Sequence, residues 1–166
     1  MQILINHLIQ QFIAIQNGKI WIGSSYKSKL SAINEHLVFI RPQKNLHSIA
    51  EILSHLTLWR TEAILKIKTG KGSKTDDCAE NWLSNEVLKT KGWTNIKSDY
   101  DESLTQLIEL LKEKEDSFLN DEYYDTDFKG NYTYSFLING MIHHDLYHLG
   151  QLGIIIKYLN LEGFNK

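Results

Sequence analysis

A single cysteine, Cys78, in 166 residues leaves no intrachain disulfide to staple a fold. Such sparing use of cysteine fits a reducing, cytoplasmic setting, and one thiol alone is a poor start for a structural zinc cluster. A single proline, Pro42, leaves long stretches without a helix breaker. Nowhere do 18 uncharged apolar residues run together, so no membrane span is expected. The apolar opening, residues 1–16, lacks the basic flank and the small-residue cleavage pattern of a secretion signal. An excess of one charge is missing too: the formal net charge of −2 gives no electrostatic argument for nucleic acid or an anionic membrane as partner. What remains is an ordinary globular composition, 42% hydrophobic and 23% charged, long enough for one domain with a sizeable core over residues 1–166.

Strand-like alternation is scarce and helical spacing is plentiful, which points to an all-α protein. Leu4, Leu8, Phe12 and Ile15 predict a first helix over residues 3–16, stopped by Asn17-Gly18. A linker with Trp21 and Gly23 follows, then a shorter amphipathic helix over residues 28–36, and Arg41-Pro42-Gln43 breaks the chain again. Ser48-Ile49-Ala50-Glu51 has the form of a capping box and opens a helix running to Thr69, with Gly70 as its stop. Its buried side is made by Ile52, His55, Leu56, Trp59, Ala63 and Ile67. Residues 71–97 carry Trp82 and Trp93 and a short helix around residues 79–88; they read as a long crossover pinned to the bundle by the tryptophans, with a lid over a pocket as the alternative. Ser98 or Asp99 caps a third long helix over residues 100–119, whose solvated face is residues 112–116. The acidic, aromatic residues 121–131 lack the ordered ligand spacing of a calcium loop and are assigned to a plain surface loop. The last long helix covers residues 133–159 and is apolar almost all round, so it should be the most buried. Four long helices with long crossover connections make a four-helix bundle.

The chemistry gathers on that last helix, in the stretch MIHHDLYHLGQLG at residues 141–153. With His144 as zero on a helical wheel, His148 falls at about +40° and Gln151 at about −20°, on a stripe otherwise apolar or small. His143 lies about 100° away and is left outside. Two neutral imidazoles at this spacing can hold one ion from one helix. A lone buried histidine is usually bonded to backbone or water, but His55, on the buried face of the second long helix, supplies a third imidazole and completes the ligand set of an open metal site. Glu51 and Glu62 share the stripe of His55; Glu51 is already used in the cap and Glu62 lies about 10 Å along the axis, so they support rather than ligate. Supporting roles also fall to Asp145, accepting from a ligand imidazole, to Tyr147, donating to a substrate, and to Gln151, bonding a water on the ion. Gly150 and Gly153 cost helix propensity and suggest close helix approach.

These residues resemble the DinB-like (DNA-damage-inducible) metal-binding four-helix-bundle family. The likeness lies in His144-Asp145-Leu146-Tyr147-His148-Leu149-Gly150-Gln151, similar to that family's HDxYHxGQ signature, in Ser48-Ile49-Ala50-Glu51-Ile52-Leu53-Ser54-His55, and in Trp21-Ile22-Gly23. Residues 71–97 match no signature of the family. The resemblance implies a three-histidine site carried by His55, His144 and His148, homodimers, and no DNA binding despite the name. It also implies a small-molecule substrate: some relatives transfer low-molecular-weight thiols to electrophiles and others are described as hydrolases. Three histidines leave open positions on one divalent ion (zinc, nickel or iron), which suits an enzyme acting through an ionised water or a thiolate. The rival from another class is a non-catalytic metal-binding or stress-related binding module. A fourth protein ligand, such as Glu62 or Asp145, would favour that rival.

Overall fold

The computed structural model describes residues 1–31 and 33–161, with no side-chain account of Leu161. Among these residues the helices and strands are, in order, α1 (Ile3–Asn17), α2 (Tyr26–Leu30), α3 (Ile49–Thr69), α4 (Asn85–Lys91), α5 (Trp93–Lys112), β1 (Glu122–Asp125), β2 (Gly130–Thr133) and α6 (Tyr134–Leu161), with short 3₁₀ turns at Glu35–Leu37 and Asp116–Asn120. The four long helices form the bundle. α3 packs against α5 and α6, and α1 packs against the same two, so α1 and α3 stand at opposite corners. Ile5, Phe12, Ile52, Leu53, Leu56, Leu107, Ile138 and Leu152 fill the space between them.

α3 begins where its capping box places it. The Ser48 hydroxyl accepts from the Glu51 amide at 3.2 Å, and Glu51 Oε2 accepts from the Ser48 amide at 2.7 Å. Arg41 also pairs with Glu51, so this carboxylate anchors the approaching chain as well as the helix start. At the other end Gly70 takes φ 74°, the left-handed conformation that glycine adopts without strain, and its amide closes on Lys66 O at 2.9 Å. With the hydroxyl fully buried, Ser48→Ala is expected to cost about 1–2 kcal/mol, read as a lower urea midpoint at unchanged slope; an unchanged midpoint would show that the cap carries no stability.

Several elements depart from the sequence reading. The helix expected over residues 28–36 is the five-residue α2 followed by a 3₁₀ turn at Glu35–Leu37, with Ala32 outside the described residues. The short helix expected over residues 79–88 is α4, shifted toward the C-terminus. α5 starts at Trp93 and ends at Lys112, seven residues earlier at each end than its expected range. Gly92, at φ 83°, separates α4 from α5 and lets the buried Trp93 open the helix, which no capping side chain announces. Residues 112–116 accordingly do not form one solvated helical face. Lys112 pairs with Glu109 at 2.7 Å, whereas Asp116 leaves the helix and caps α1, accepting from the amides of Ile3 and Ile5 at 2.9 and 3.0 Å.

The stretch 121–131 is not a plain surface loop either. Glu122 pairs with Thr133 and Asp125 with Gly130 in an antiparallel hairpin. Asp125 is buried, its Oδ2 bonded to the Lys66 ammonium at 2.8 Å and its Oδ1 accepting from the turn amides of Asp127 and Phe128. The chain after α3 runs beside β1, with Gly72 N donating to Tyr124 O and Tyr124 N to Gly70 O. A Cβ at Gly72 would stand 2.6 Å from Lys66 Cε and 2.8 Å from Glu62 Oε1, so any larger residue would have to displace the ends of those two buried side chains. Glu62 itself holds this turn, accepting from the Ser73 hydroxyl at 2.9 Å and the Lys74 amide at 3.0 Å.

A buried polar network crosses the bundle centre. Arg60 of α3, fully buried, donates from Nη2 to Asp145 Oδ2 of α6 at 2.9 Å and reaches the Tyr100 hydroxyl and carbonyl of α5 at 3.3 Å. The Tyr100 hydroxyl donates to Gln16 of α1 at 2.6 Å, and Tyr26 of α2 donates to Asp145 O at 2.7 Å. Burial works against the charge on Arg60, but Asp145 and Tyr100 outweigh it and keep the guanidinium protonated.

Candidate metal centre

Three imidazoles meet where α3 and α6 face each other. His55 Nε2 lies 2.9 Å from His144 Nε2, His148 Nε2 lies 3.1 Å from the same atom, and the ligand atoms of all three lie within 4.8 Å of one another. Helical geometry delivers two of them, since His144 and His148 are one turn apart on α6; the Ser48 cap fixes the register of α3 that delivers His55.

The outer ring nitrogens fix the tautomers. His55 Nδ1 lies 3.2 Å from Asn81 O, and a carbonyl only accepts, so His55 carries its proton on Nδ1 and turns the Nε2 lone pair inward. Gln151 Oε1, 2.7 Å from His148 Nδ1, sets the same tautomer there. Both lone pairs therefore aim at His144 Nε2, which has one proton at most to offer two acceptors. His144 Nδ1 is buried with no partner. A metal-free cluster thus leaves nitrogen lone pairs facing one another, whereas a cation between them would satisfy all three. Imidazole nitrogens sit about 2.0–2.1 Å from zinc, so tetrahedral neighbours lie about 3.3 Å apart, close to the 2.9 and 3.1 Å that separate His144 Nε2 from the other two nitrogens. The donor set fits a divalent ion.

Electrostatics favour the neutral, ligating form. Burial lowers all three pKa values; charge repulsion from His148 and His55 adds to it at His144, which falls to about 3, and repulsion from His55 adds to it at His148, which falls to about 4. His55 is likewise lowered by burial, partly opposed by its bond to Asn81.

A cavity of about 740 Å³ opens beside the cluster, walled by Trp59, Trp82, Phe136, Met141, Tyr147 and Gln151 among others. Trp82 stacks flat on His55 with centroids 4.0 Å apart, and His47 stacks on the other face of Trp82 at 3.6 Å. Trp82 thus pins the crossover of residues 71–97 to the bundle, as the first of the two sequence readings expects, and its ring forms part of the cavity wall. Asn81 ties it further, accepting from Trp59 Nε1 at 2.9 Å and donating to Asp76 O at 2.7 Å.

The expected supporting residues land differently. Asp145 faces away from the imidazoles and pairs with Arg60, because that guanidinium is the buried charge in need of a counter-ion. Glu62 is spent on Ser73 and Lys74. Among the described residues no cysteine, aspartate or glutamate joins the three histidines. Gln151 bonds a histidine rather than an inner water position. Tyr147 lines the cavity but is 64% exposed, and its neighbour His143 is exposed and outside the cluster. Gly150 faces open space rather than a neighbouring helix, and Gly153 faces only the Lys29 side chain, so neither marks a close helix crossing within the chain. Asn81, Trp82 and Arg60 were not marked as site or network residues by the sequence; Trp82 alone gave a signal, as an aromatic stranded in a long crossover.

Among the described residues no helix is long and apolar enough to cross a membrane. No curated protein sequence matches the chain. Solved structures that share its fold include two from Bacillus subtilis. A DinB-like protein from Bacillus subtilis, YjoA, superposes with a TM-score of 0.65 at 14% identity, over 93% of each chain. YfiT from Bacillus subtilis, described as a probable metal-dependent hydrolase with an unusual four-helix bundle topology, superposes with a TM-score of 0.55 at 13% identity, over 96% of this chain and 87% of that one. The DinB superfamily model matches residues 26–152, a span that holds all three histidines, the whole of α3 and α5 and the first two thirds of α6, and the chain belongs to that superfamily.

Proposed function

We propose that the protein is a metal-dependent enzyme in which His55, His144 and His148 hold one divalent ion and a small molecule occupies the adjoining cavity. The observation that carries this reading is the clustering of three imidazole nitrogens within 4.8 Å of one another, with no cysteine or carboxylate beside them among the described residues and a cavity alongside. Such an ion would supply Lewis acidity, favouring the ionised form of a water or thiol nucleophile. The chain's own residues do the rest. Asn81 and Gln151 hold two imidazoles in the ligating tautomer and keep their rings from turning. Trp82 shields His55 from water by stacking on it. Trp59, Phe136 and Met141 give the cavity an apolar wall against which a substrate body would pack, and the Tyr147 side chain stands at its edge.

Transfer of a low-molecular-weight thiol to an electrophile is the leading reaction, and it rests on the likeness of the His144–Gln151 motif to relatives of that activity. Hydrolysis of a small molecule is the second reading, favoured by the description given to YfiT. Metal-loaded protein should accelerate conjugation of a small thiol to a model electrophile, while the His55→Ala variant should run at the uncatalysed rate; an ester panel measured in parallel reads out the second reaction. Equal rates for wild type and variant in both assays would leave the metal-binding bundle without catalysis.

A further inference from the structure

The cavity has a second pole, away from the imidazoles. Lys66 stands three turns past His55 on α3, about 16 Å along the axis, and a helical side chain leans back toward the N-terminus. Trp59 lies between the two, its ring 6.3 Å from the His55 ring and 5.9 Å from Lys66 Nζ. Lys66, Asp125, Asp127 and Asp76 line the same cavity as the three histidines. They meet because the chain leaving α3 runs beside β1 and the hairpin turn holds it there: Asp127 Oδ1 accepts from the Asp76 amide at 2.9 Å. The cavity therefore runs lengthwise, from the imidazoles to the hairpin.

This end carries both signs of charge, and neither is fully engaged. Lys66 is 5% exposed, and an ammonium has three N–H donors to satisfy. Asp125 takes one of them at 2.8 Å, and among the described residues no other acceptor takes the remaining two. Asp125 has no capacity left over. Its Oδ1 accepts from the amides of Asp127 and Phe128, and its Oδ2 accepts from Lys66 and from the Tyr123 hydroxyl at 3.2 Å. Asp127 differs: its Oδ2 has no hydrogen-bond partner among the described residues, and Asp76 brings a second carboxylate beside it. A purely anionic ligand would find Lys66 already neutralised by Asp125 and would face two further carboxylates. A purely cationic one would be set against Lys66 and leave its two N–H groups unmade, which is costly in a buried group. A head carrying both charges meets both demands. The walls next to it are aromatic, with Trp59, Phe128 and Phe136 lining the cavity, so the rest of the ligand packs against rings.

We propose that the hairpin end of the cavity holds a zwitterionic amino-acid head, its carboxylate on Lys66 Nζ and its ammonium on Asp127 and Asp76, with the remainder of the molecule running past Trp59 toward the imidazoles. The substrates are then amino acids or side-chain derivatives with both head groups free, reacting at a side-chain atom several bonds from the head. The inference rests on the enzyme reading for the reaction at the far end, whereas the head binds with or without an ion.

Three probes share a phenylethyl body and differ only in charge: L-phenylalanine, 3-phenylpropionate and 2-phenylethylamine. Each is titrated by calorimetry into the full chain at about pH 7.5, where all three heads are fully charged, before and after chelation of metal. L-Phenylalanine should bind at least about tenfold tighter than either singly charged probe, each of which lacks one charge-assisted contact, and the ranking should survive chelation. Asp127→Asn keeps an oxygen for the Asp76 amide and should weaken L-phenylalanine about tenfold while leaving 3-phenylpropionate no weaker. Lys66 is removed together with its partner, as Lys66→Met/Asp125→Asn, so that no carboxylate is left buried alone. This variant should keep the helical circular dichroism spectrum and lose L-phenylalanine binding by about tenfold or more. Equal or tighter binding of either singly charged probe overturns the zwitterionic head, and so does no binding by any probe at about 10 mM. Binding of L-phenylalanine that vanishes on chelation and ignores both variants puts the head on the ion and also overturns the proposal. A chain that takes up no ion yet keeps the ranking retains the head site and loses the metal reading instead.

Discussion

Asp145→Ala is expected to destabilise the protein by about 3–5 kcal/mol, the cost of stranding one charge of a buried pair. Asp145 and Arg60 are both buried, and their contact at 2.9 Å gives Arg60 its counter-ion at the bundle centre. Without the carboxylate the guanidinium keeps only Tyr100, through its carbonyl, its hydroxyl and its ring face, none of which carries a net charge. The loss would be a large share of a stability of about 5–15 kcal/mol, and it should appear as a strongly lowered denaturation midpoint. Replacing both partners with apolar residues, as in Arg60→Met/Asp145→Leu, should recover most of it, because no charge is then left buried. Metal titration of the same variants separates this role from the one the sequence suggested for Asp145. An orienting partner of a ligand imidazole would weaken metal binding about 10–100-fold when removed. The structure instead expects the refolded double variant to bind metal as the wild type does. A near wild-type midpoint for Asp145→Ala would sink the account of the buried pair.

The case of Asp145 shows where a sequence stops being legible. Its neighbours His144 and His148 could be placed on one face because an α-helix repeats locally, and His55 could join them because Ser48 and Glu51 announce the start of α3 in four residues. The register of each long helix follows from such local signals. Partners across the bundle do not. Nothing near Arg60 marks it as buried, since arginine on an exposed helix turn looks the same in sequence, and so the sequence reading gives Asp145 to a ligand imidazole rather than to a guanidinium 85 residues away in the chain. Asn81 escaped notice for a related reason: its carbonyl orients His55 through the path of a loop, and any residue type offers a carbonyl. The hairpin at residues 122–133 was missed because its alternation lasts four residues per strand, too short to separate from an acidic loop. The displaced start of α5 has a plainer cause. Ser98 and Asp99 are good capping residues, but burying Trp93 and Ile96 lengthens the helix past them.

His144→Ala is expected to weaken divalent-metal binding by more than the roughly 100-fold that follows loss of an outer partner, because it removes the nitrogen on which the other two lone pairs converge. Stoichiometry by elemental analysis should fall from one ion per chain toward none. A second readout follows from protons. Imidazoles that are neutral when folded and titrate near 6.5 when unfolded bind fewer protons in the native state below that pH. The metal-free protein therefore has its full stability above about pH 6.5 and loses it as the pH falls toward the native values of about 4 for His148 and about 3 for His144. Removing His144 deletes the most depressed of these groups and relieves its repulsion on the others, so the variant's melting temperature should depend less on pH between about 6.5 and 4. Metal should raise the wild-type melting temperature in proportion to the logarithm of its concentration and leave the variant unmoved. If the variant keeps one tightly bound ion, the ion sits elsewhere. If its acid sensitivity matches the wild type, the three rings are not packed together as neutral bases, and the donor geometry on which the enzyme reading depends is wrong.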